Sequence, residues 1–178
     1  MRLKKITPFI LSAVLMTGCS ANRQVHDRNY LRTLFIDGDK AVMLFYSQDS
    51  EASEVHGKSA DELKKAAELG SGRELFTGHT ELVVLGDCNY RETLEALFND
   101  WKVSPSCLTV CGNGDFMASA ENCDGEELAE MVRMAVKYGK APDCGIVTVL
   151  SGLLSRDGRA DIPETDGESI VGTCTITK

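Results

Sequence analysis

The chain has 178 residues, of which 43% are hydrophobic, and it carries 19 basic and 27 acidic side chains for a formal net charge of −8. This length predicts one compact domain, and the ordinary apolar fraction excludes a chain that is disordered throughout. A nucleic-acid-binding protein needs a basic stripe for the phosphates or aromatic side chains for the bases. The acidic balance and the 6% aromatic content therefore argue against that class.

The amino-terminal segment is basic and then apolar. Residues 1–18 contain three basic side chains and no acid, so removing them takes the net charge from −8 to −11. The apolar run from Ile6 to Met16 is too short for a mature membrane-spanning helix, which needs about 20 residues. Its length is typical of the core of a signal peptide, and we therefore predict a signal peptide over residues 1–18.

A cysteine follows this segment in a pattern that resembles the bacterial lipobox, Leu15-Met16-Thr17-Gly18-Cys19. Small residues before the cysteine allow the backbone to enter a peptidase cleft. The Cys19 sulfur then receives a diacylglyceryl group, with acyl chains such as palmitate, and two such chains anchor a protein stably. We predict lipidation at Cys19, a polar tether over residues 19–30 and a location on the extracytoplasmic face of a membrane. The alternatives are an ordinary signal peptide cut nearby and an uncleaved short anchor.

Six further cysteines allow 15 disulfide pairings, which the sequence alone does not resolve. Residues 107–111 are predicted to form a strand, where positions i and i+4 are roughly 13 Å apart, beyond the reach of a disulfide. A pairing of Cys107 with Cys111 is therefore excluded. No thioredoxin-type or zinc-type spacing occurs, which leaves buried or idle thiols and structural disulfides as the alternatives. The six are Cys88, Cys107, Cys111, Cys123, Cys144 and Cys174.

Residues 31–178 are predicted to form a single globular domain. Apolar runs over 31–36 and 41–46 surround an Asp-Gly pair, which is a strong signal for a hairpin. Helix-capping patterns at Ser59, Asn89 and Asp124, and a helix start at Asp143, predict four helices, the first of which stops at Gly70. Strands are predicted over 81–85, 107–111 and 169–176, with a polar loop over 47–58 and a polar segment over 157–167.

These elements predict an α/β (mixed α+β) domain. Its mixed sheet has an N-terminal hairpin and one strand–helix–strand crossover, and about four helices flank it.

The search for chemistry yields no catalytic constellation. The histidines lie in the tether (His26), in a loop (His56) and before a strand (His79), and no nucleophile elbow or phosphate-binding glycine loop is present. Acidic residues cluster late in the chain, but they match no EF-hand and are predicted to form a solvated loop rather than a calcium site. We predict no catalytic, cofactor-binding or metal-binding residue. The acidic residues are Asp157, Asp161, Glu164, Asp166 and Glu168.

The order of motifs along the chain resembles the Ger(x)C family, the C subunits of spore germinant receptors. The similarity begins with the lipobox and the segment Leu31–Asp37, and it is densest over residues 72–87, where a Gly-His pair precedes an apolar strand that ends in Gly86 and the acid Asp87. The family usually has glutamate at that last position. The resemblance covers the family's N-terminal domain, and the chain is similar to a short or truncated member.

The resemblance implies a non-enzymatic lipoprotein on the outer face of the spore inner membrane. Such a subunit acts with A-type and B-type receptor subunits in nutrient-triggered spore germination. Two other classes remain open from the residues. One is an extracytoplasmic solute-binding lipoprotein, which needs a cleft with converging polar groups. The other is a thiol-dependent cell-surface enzyme, which needs an exposed cysteine with a lowered pKa.

Overall fold

The computed structural model describes residues 28–46 and 52–177, and Cys19 and His26 lie outside these ranges. The described chain forms eight strands and five helices. The strands are β1 (Arg28–Asp37), β2 (Lys40–Phe45), β3 (Ser53–His56), β4 (Glu74–Phe76), β5 (Leu82–Leu85), β6 (Leu108–Gly112), β7 (Arg159–Thr165) and β8 (Ile170–Thr177). The helices are α1 (Ala60–Ser71), α2 (Tyr90–Asn99), α3 (Phe116–Ala120), α4 (Gly125–Lys137) and α5 (Ile146–Leu154).

All the strands belong to one mixed sheet in the order β3-β2-β1-β5-β6-β7-β8, and β4 pairs with the start of β1. Strands β1, β5, β6 and β7 are parallel to their neighbours in that series, whereas β2, β3 and β8 run antiparallel to theirs. Helix α2 connects the parallel pair β5 and β6. The mixed α/β fold, the N-terminal hairpin and the predicted crossover are therefore confirmed.

Local sequence signals explain the hairpin and the helix starts. Gly38 adopts a φ of 58° in the tight turn between β1 and β2, a conformation that glycine reaches without steric cost. The side chains of Ser59, Asn89 and Asp124 accept hydrogen bonds from backbone N–H groups of the first turns of α1, α2 and α4. Helix α1 continues through the predicted stop and ends at Gly72, whose φ is 65°.

Four described elements were absent from the sequence prediction. Strand β3 lies inside the predicted loop 47–58, β7 lies inside the predicted polar segment 157–167, and β4 and α3 were not foreseen. Strand β7 has a charged, exposed side and a buried side, which includes Ile162 and Thr165, so its composition resembles a loop. The fourth predicted helix begins at Ile146, because the Asp143 carboxylate accepts the N–H of Gly145 in a preceding turn.

Strand β1 begins within the range that was assigned to the tether. Residues 28–30 pair in parallel with residues 74–76 of β4, so the ordered domain starts three residues before the predicted boundary at 31.

The centre of the core is the run of parallel strands. All four residues of β5 are buried, as expected for a strand that is covered on both faces. Helix α2 lies between α1 and α5 and contacts both, while α3 and α4 contact β1. Within the described ranges, no helix combines the length and the apolar character that crossing a bilayer requires.

Candidate functional site

The best-formed candidate site lies where β1 and β5 end. The chain leaves β1 through the hairpin towards β2, and it leaves β5 through α2 towards β6, so the two connections diverge. In open α/β sheets, a divergence of this kind opens a crevice at the carboxyl ends of the strands, and ligands bind there. The topology therefore places a crevice at this edge.

Three hydrogen bonds hold the two strand ends together. The Asp37 carboxylate accepts the backbone N–H of Asp87 at 2.8 Å, Gly38 N–H donates to the Asp87 carbonyl at 2.7 Å, and Gly86 N–H donates to the Ile36 carbonyl at 2.7 Å. The side chain of Asp87 remains exposed. The Gly-acid pair that ends β5 therefore fixes this edge through its backbone, and the acidic group that fastens it belongs to Asp37.

Gly86 is required here by close packing. A Cβ atom at this position would meet the Asp37 carboxylate and would lie 2.7 Å from Cζ of Phe116. Real Cβ atoms do not approach neighbours so closely, and the ring of Phe116 is itself buried. A side chain at position 86 would therefore displace either the fastening carboxylate or the core below it.

A groove of about 230 Å³ extends from this edge between α1 and α2. The amino-terminal ends of both helices lie at it. Its walls combine small, apolar and polar side chains, which leaves room for a compact ligand of a few heavy atoms. The lining residues are Ile36, Gly38, Gly57, Lys58, Ser59, Ala60, Asp61, Leu63, Cys88, Asn89, Glu92, Thr93, Ala96, Asp100 and Trp101.

The caps at the groove are already satisfied from within the chain. The hydroxyl of Ser59 accepts the N–H of Glu62, and the Glu62 carboxylate accepts the N–H of Lys58 at 2.8 Å in return. The Asn89 side-chain oxygen accepts the N–H of Glu92 at 3.1 Å. These helix ends therefore need no anion to complete them. The lining carries both signs of charge, so it suits a polar or zwitterionic molecule rather than a simple anion.

Trp101 adds an unsatisfied donor to the groove. Its side chain is 3% exposed, and its indole N–H has no hydrogen-bond partner among the described residues. Its backbone carbonyl accepts the hydroxyl of Thr77, which fixes the residue at the end of α2. Buried donors are normally paired, so a ligand with an acceptor oxygen would supply what this N–H lacks.

A second polar cluster joins α4 to the sheet. The hydroxyl of Tyr46 donates to the Glu81 carboxylate at 2.7 Å, Arg133 donates to the other oxygen of Glu81 at 2.6 Å, and the Arg32 guanidinium lies 4.4 Å from the centre of the Tyr46 ring. Arg32 also donates to Glu126 at 2.7 Å. The cluster is a set of mutually satisfied ion pairs, and its role is to hold α4 in place.

The environment shifts two pKa values in this cluster. Burial, followed by the hydrogen bond to Glu81, raises the pKa of Tyr46 to about 12. Burial opposes ionisation of Glu81, but the hydrogen bonds from Arg133 and Tyr46 outweigh it and lower the pKa of that carboxyl. The phenol thus stays neutral and the carboxylate stays charged at neutral pH, which is the pattern of a structural link rather than of an acid–base pair.

The two described histidines lie in separate structural contacts. His56 forms a 3.2 Å contact with Glu54 on β3, and the ring of His79 lies 5.3 Å from that of Phe76. The backbone carbonyl of His79 accepts the hydroxyl of Tyr46. Within the part of the chain that the structure describes, no hydroxyl or thiol is hydrogen-bonded to either imidazole.

The six described cysteines are free thiols, which agrees with the alternative of buried or idle thiols. Burial raises the pKa of Cys88, Cys123 and Cys144 to about 11 and that of Cys111 to about 12, and it also raises the pKa of Cys107. A thiol nucleophile needs a lowered pKa. These five residues lack the property that a thiol-dependent enzyme would require.

The late acidic residues are used in turns and strands. Asp166 accepts the backbone N–H groups of Glu168 and Ser169, and Asp161 on β7 accepts the hydroxyl of Thr175 on β8 at 2.6 Å. Over residues 28–46 and 52–177, no three metal-ligating side chains converge on one point.

The sequence prediction contained no trace of the groove. Its lining comes from four separate stretches, and only the caps Ser59 and Asn89 were visible as signals, both of helix starts. The lone tryptophan of the chain, Trp101, was noted only as one residue on a helical face. Comparisons with known protein families, with characterised proteins and with experimentally determined structures found no match to this chain.

Proposed function

We propose that this protein is a membrane-anchored, non-enzymatic lipoprotein subunit of a spore germinant receptor, which aids assembly or signal transmission in nutrient-triggered germination. The observation that carries the proposal is the lipobox, in which a basic start, a short apolar run and small residues all precede Cys19. The order of motifs that resembles the Ger(x)C family supplies the receptor role, with A-type and B-type subunits as partners.

The length of chain between the anchor and the domain supports this arrangement. Strand β1 begins at Arg28, nine residues after Cys19. A chain of that length reaches at most about 30 Å. An acylated Cys19 would therefore keep the domain beside the membrane surface, where its effective concentration towards other membrane-bound subunits is high even if each contact is weak.

The anchor is tested by replacing one sulfur. We expect Cys19→Ser to release the protein from membranes into the soluble fraction of detergent-free extracts, because the acyl chains have no other attachment. Cys123→Ser is the matched control, since it removes a thiol of the domain and leaves the lipobox intact. Membrane association of the Cys19→Ser protein equal to that of the parent would contradict the proposal.

The receptor role is tested in the spore. Deletion of the gene should slow germination that nutrients trigger and leave germination by a non-nutrient trigger unchanged, and re-expression of the parent chain should restore the rate. A gene neighbourhood that encodes A-type and B-type receptor subunits would support the same assignment. Normal nutrient germination in the deletion strain would refute it.

The groove favours a second candidate, an extracytoplasmic solute-binding lipoprotein. Its position at the diverging strand ends and the unpaired indole N–H of Trp101 are features of a small-molecule site. A panel of small polar solutes would be tested for a rise in melting temperature and a change in tryptophan fluorescence, which reports only Trp101 in this chain. A saturable response that Trp101→Phe weakens would favour this candidate, and no response to any solute would dismiss it.

A further inference from the structure

We infer that the outer edge of β8 pairs with the same edge of a second copy of this chain, in antiparallel orientation, to form one continuous sheet. The inference rests on the described residues of β7, β8 and α4, and it does not depend on the anchor or on the receptor role.

The two edges of the sheet differ sharply. Strand β3 has four residues, two of which are Glu54 and His56, and Glu54 is ion-paired with Lys40 at 2.7 Å. Short length and charge are the usual means by which proteins protect an edge from pairing. Strand β8 has eight residues and no charged side chain, and among the described strands it pairs with β7 alone. Its outer N–H and C=O groups are therefore available to another strand.

The surface beside this edge is also apolar. The end of α4 and the start of β8 form the walls of a groove of about 520 Å³, which includes Met134, Tyr138 and Val171. Tyr138 is 66% exposed and Val171 is 48% exposed, so both offer apolar area to a partner. A strand added to β8 would lie next to these side chains and would cover part of that area.

Charge at the two ends of β8 favours a second copy in antiparallel orientation. Asp166 and Glu168 precede the strand, whereas Arg159 lies opposite Thr177 at its other end, and Lys178 follows in the sequence. Antiparallel pairing of two copies brings the acidic end of each strand to the basic end of the other. Parallel pairing would set like charges side by side, which is destabilising.

The regular part of the strand fixes the register. The pairing with β7 is interrupted by a bulge at Val171 and is continuous from Gly172 to Thr177. Directly opposite residues share a face of the sheet, so paired positions in two copies must both be even or both be odd. The symmetric register that uses most of the regular stretch is centred on Cys174. It sets Gly172 opposite Ile176 and Thr173 opposite Thr175.

This register predicts where an introduced charge will act. The two copies of Thr173 become diagonal neighbours on the exposed face, roughly 7–8 Å apart. Thr173→Lys or Thr173→Glu would each place two like charges at that distance and would also put a charge on the edge. We expect each variant to raise the dimer dissociation constant by about tenfold or more, which corresponds to about 1.4 kcal/mol.

The experiment is sedimentation analysis of the full chain in mild detergent over a wide range of protein concentration. The parent is expected to dimerise reversibly, the two charged variants are expected to be mostly monomeric, and an equimolar mixture of Thr173→Lys and Thr173→Glu chains is expected to recover dimer. Val147→Lys is the matched control, because Val147 on α5 is 48% exposed, the same fraction as Val171, and lies away from the edge.

Circular dichroism and thermal melting would establish that each variant is folded before its oligomeric state is compared. The inference fails if the parent is monomeric at all concentrations, if Val147→Lys weakens the dimer as much as Thr173→Lys, or if the mixed charged chains stay monomeric. A partner other than a second copy would produce the first of these results.

Discussion

The substitution Gly86→Ala tests the packing that holds the carboxyl edge of the sheet together. The new methyl group would meet the Asp37 carboxylate and would lie 2.7 Å from Cζ and 2.8 Å from Cε1 of Phe116. Overpacking in a rigid core costs about 1–3 kcal/mol. Displacing the Asp37 carboxylate from the Asp87 N–H adds about 1–3 kcal/mol, because a buried donor loses a charged acceptor. We therefore expect a loss of about 2–4 kcal/mol.

The assay is thermal and urea unfolding of the full chain, followed by circular dichroism and by the fluorescence of Trp101. For a domain of this size, a loss of 1 kcal/mol lowers Tm by about 2–4 °C, so Gly86→Ala is expected to lower it by roughly 5–15 °C. Gly70→Ala is the matched control, since Gly70 lies within α1 with open space around it and alanine is the better helix former. It should stabilise the protein by about 0.5–1 kcal/mol.

A second substitution separates the two obstacles. In an Asp37→Ala background the carboxylate is gone, so Gly86→Ala should cost less than it does in the parent, by a coupling energy of about 0.5–3 kcal/mol. A parent-background cost of Gly86→Ala below about 0.5 kcal/mol, the size of an ordinary surface effect, would refute the packing argument.

Three further predictions concern charge, backbone and thiols. The lowered pKa of Glu81 means that its carboxylate stabilises the fold above the unfolded-state pKa and that this contribution is lost as pH falls through the folded value; Glu81→Gln should cost about 1 kcal/mol at pH 7, little in acid, and should lower the pKa of Tyr46 in a spectroscopic titration. Lys102 has a φ of 59°, so Lys102→Gly should raise stability by about 0.5–1 kcal/mol, whereas Gly72→Ala should lower it by about 1 kcal/mol in the same melts. Alkylation of Cys88 should be at least about tenfold slower in the folded than in the urea-unfolded protein near pH 8, as mass spectrometry of the labelled peptide would measure.

The parts of the fold that the sequence predicted are those that depend on neighbours in the chain. The hairpin follows from the two residues after Asp37, and the starts of α1, α2 and α4 follow from a side chain and a backbone N–H two or three positions apart. Interactions over such short spans are written in consecutive residues, so a pattern of spacing is sufficient to find them.

The parts that were missed depend on distant partners. The three residues of β4 become a strand because residues 28–30 lie beside them, and the polar strand β7 is held between β6 and β8. Neither segment has an apolar alternation of its own. Their strand conformation is therefore a consequence of the assembled sheet and is absent from any local window of the sequence.

The groove was beyond sequence analysis for a related reason. The unpaired state of the Trp101 indole N–H is a property of its surroundings, since the same residue at another helix end would find a partner or solvent. The pKa values of the thiols follow the same rule, because burial raises them and burial is fixed by tertiary packing. Residue types identify the groups, whereas their state depends on the fold.

The proposed anchor and the proposed sheet pairing constrain each other. Antiparallel pairing of two identical β8 edges has its two-fold axis perpendicular to the sheet, so the two copies of β1 point in opposite directions. If both copies are anchored in one leaflet, that axis must stand perpendicular to the membrane, and the paired sheet must lie along the surface. Symmetry then puts both copies of Arg28 at the same height, within the roughly 30 Å that nine residues can span. The tether length is therefore sufficient for both copies, and the two proposals are geometrically compatible.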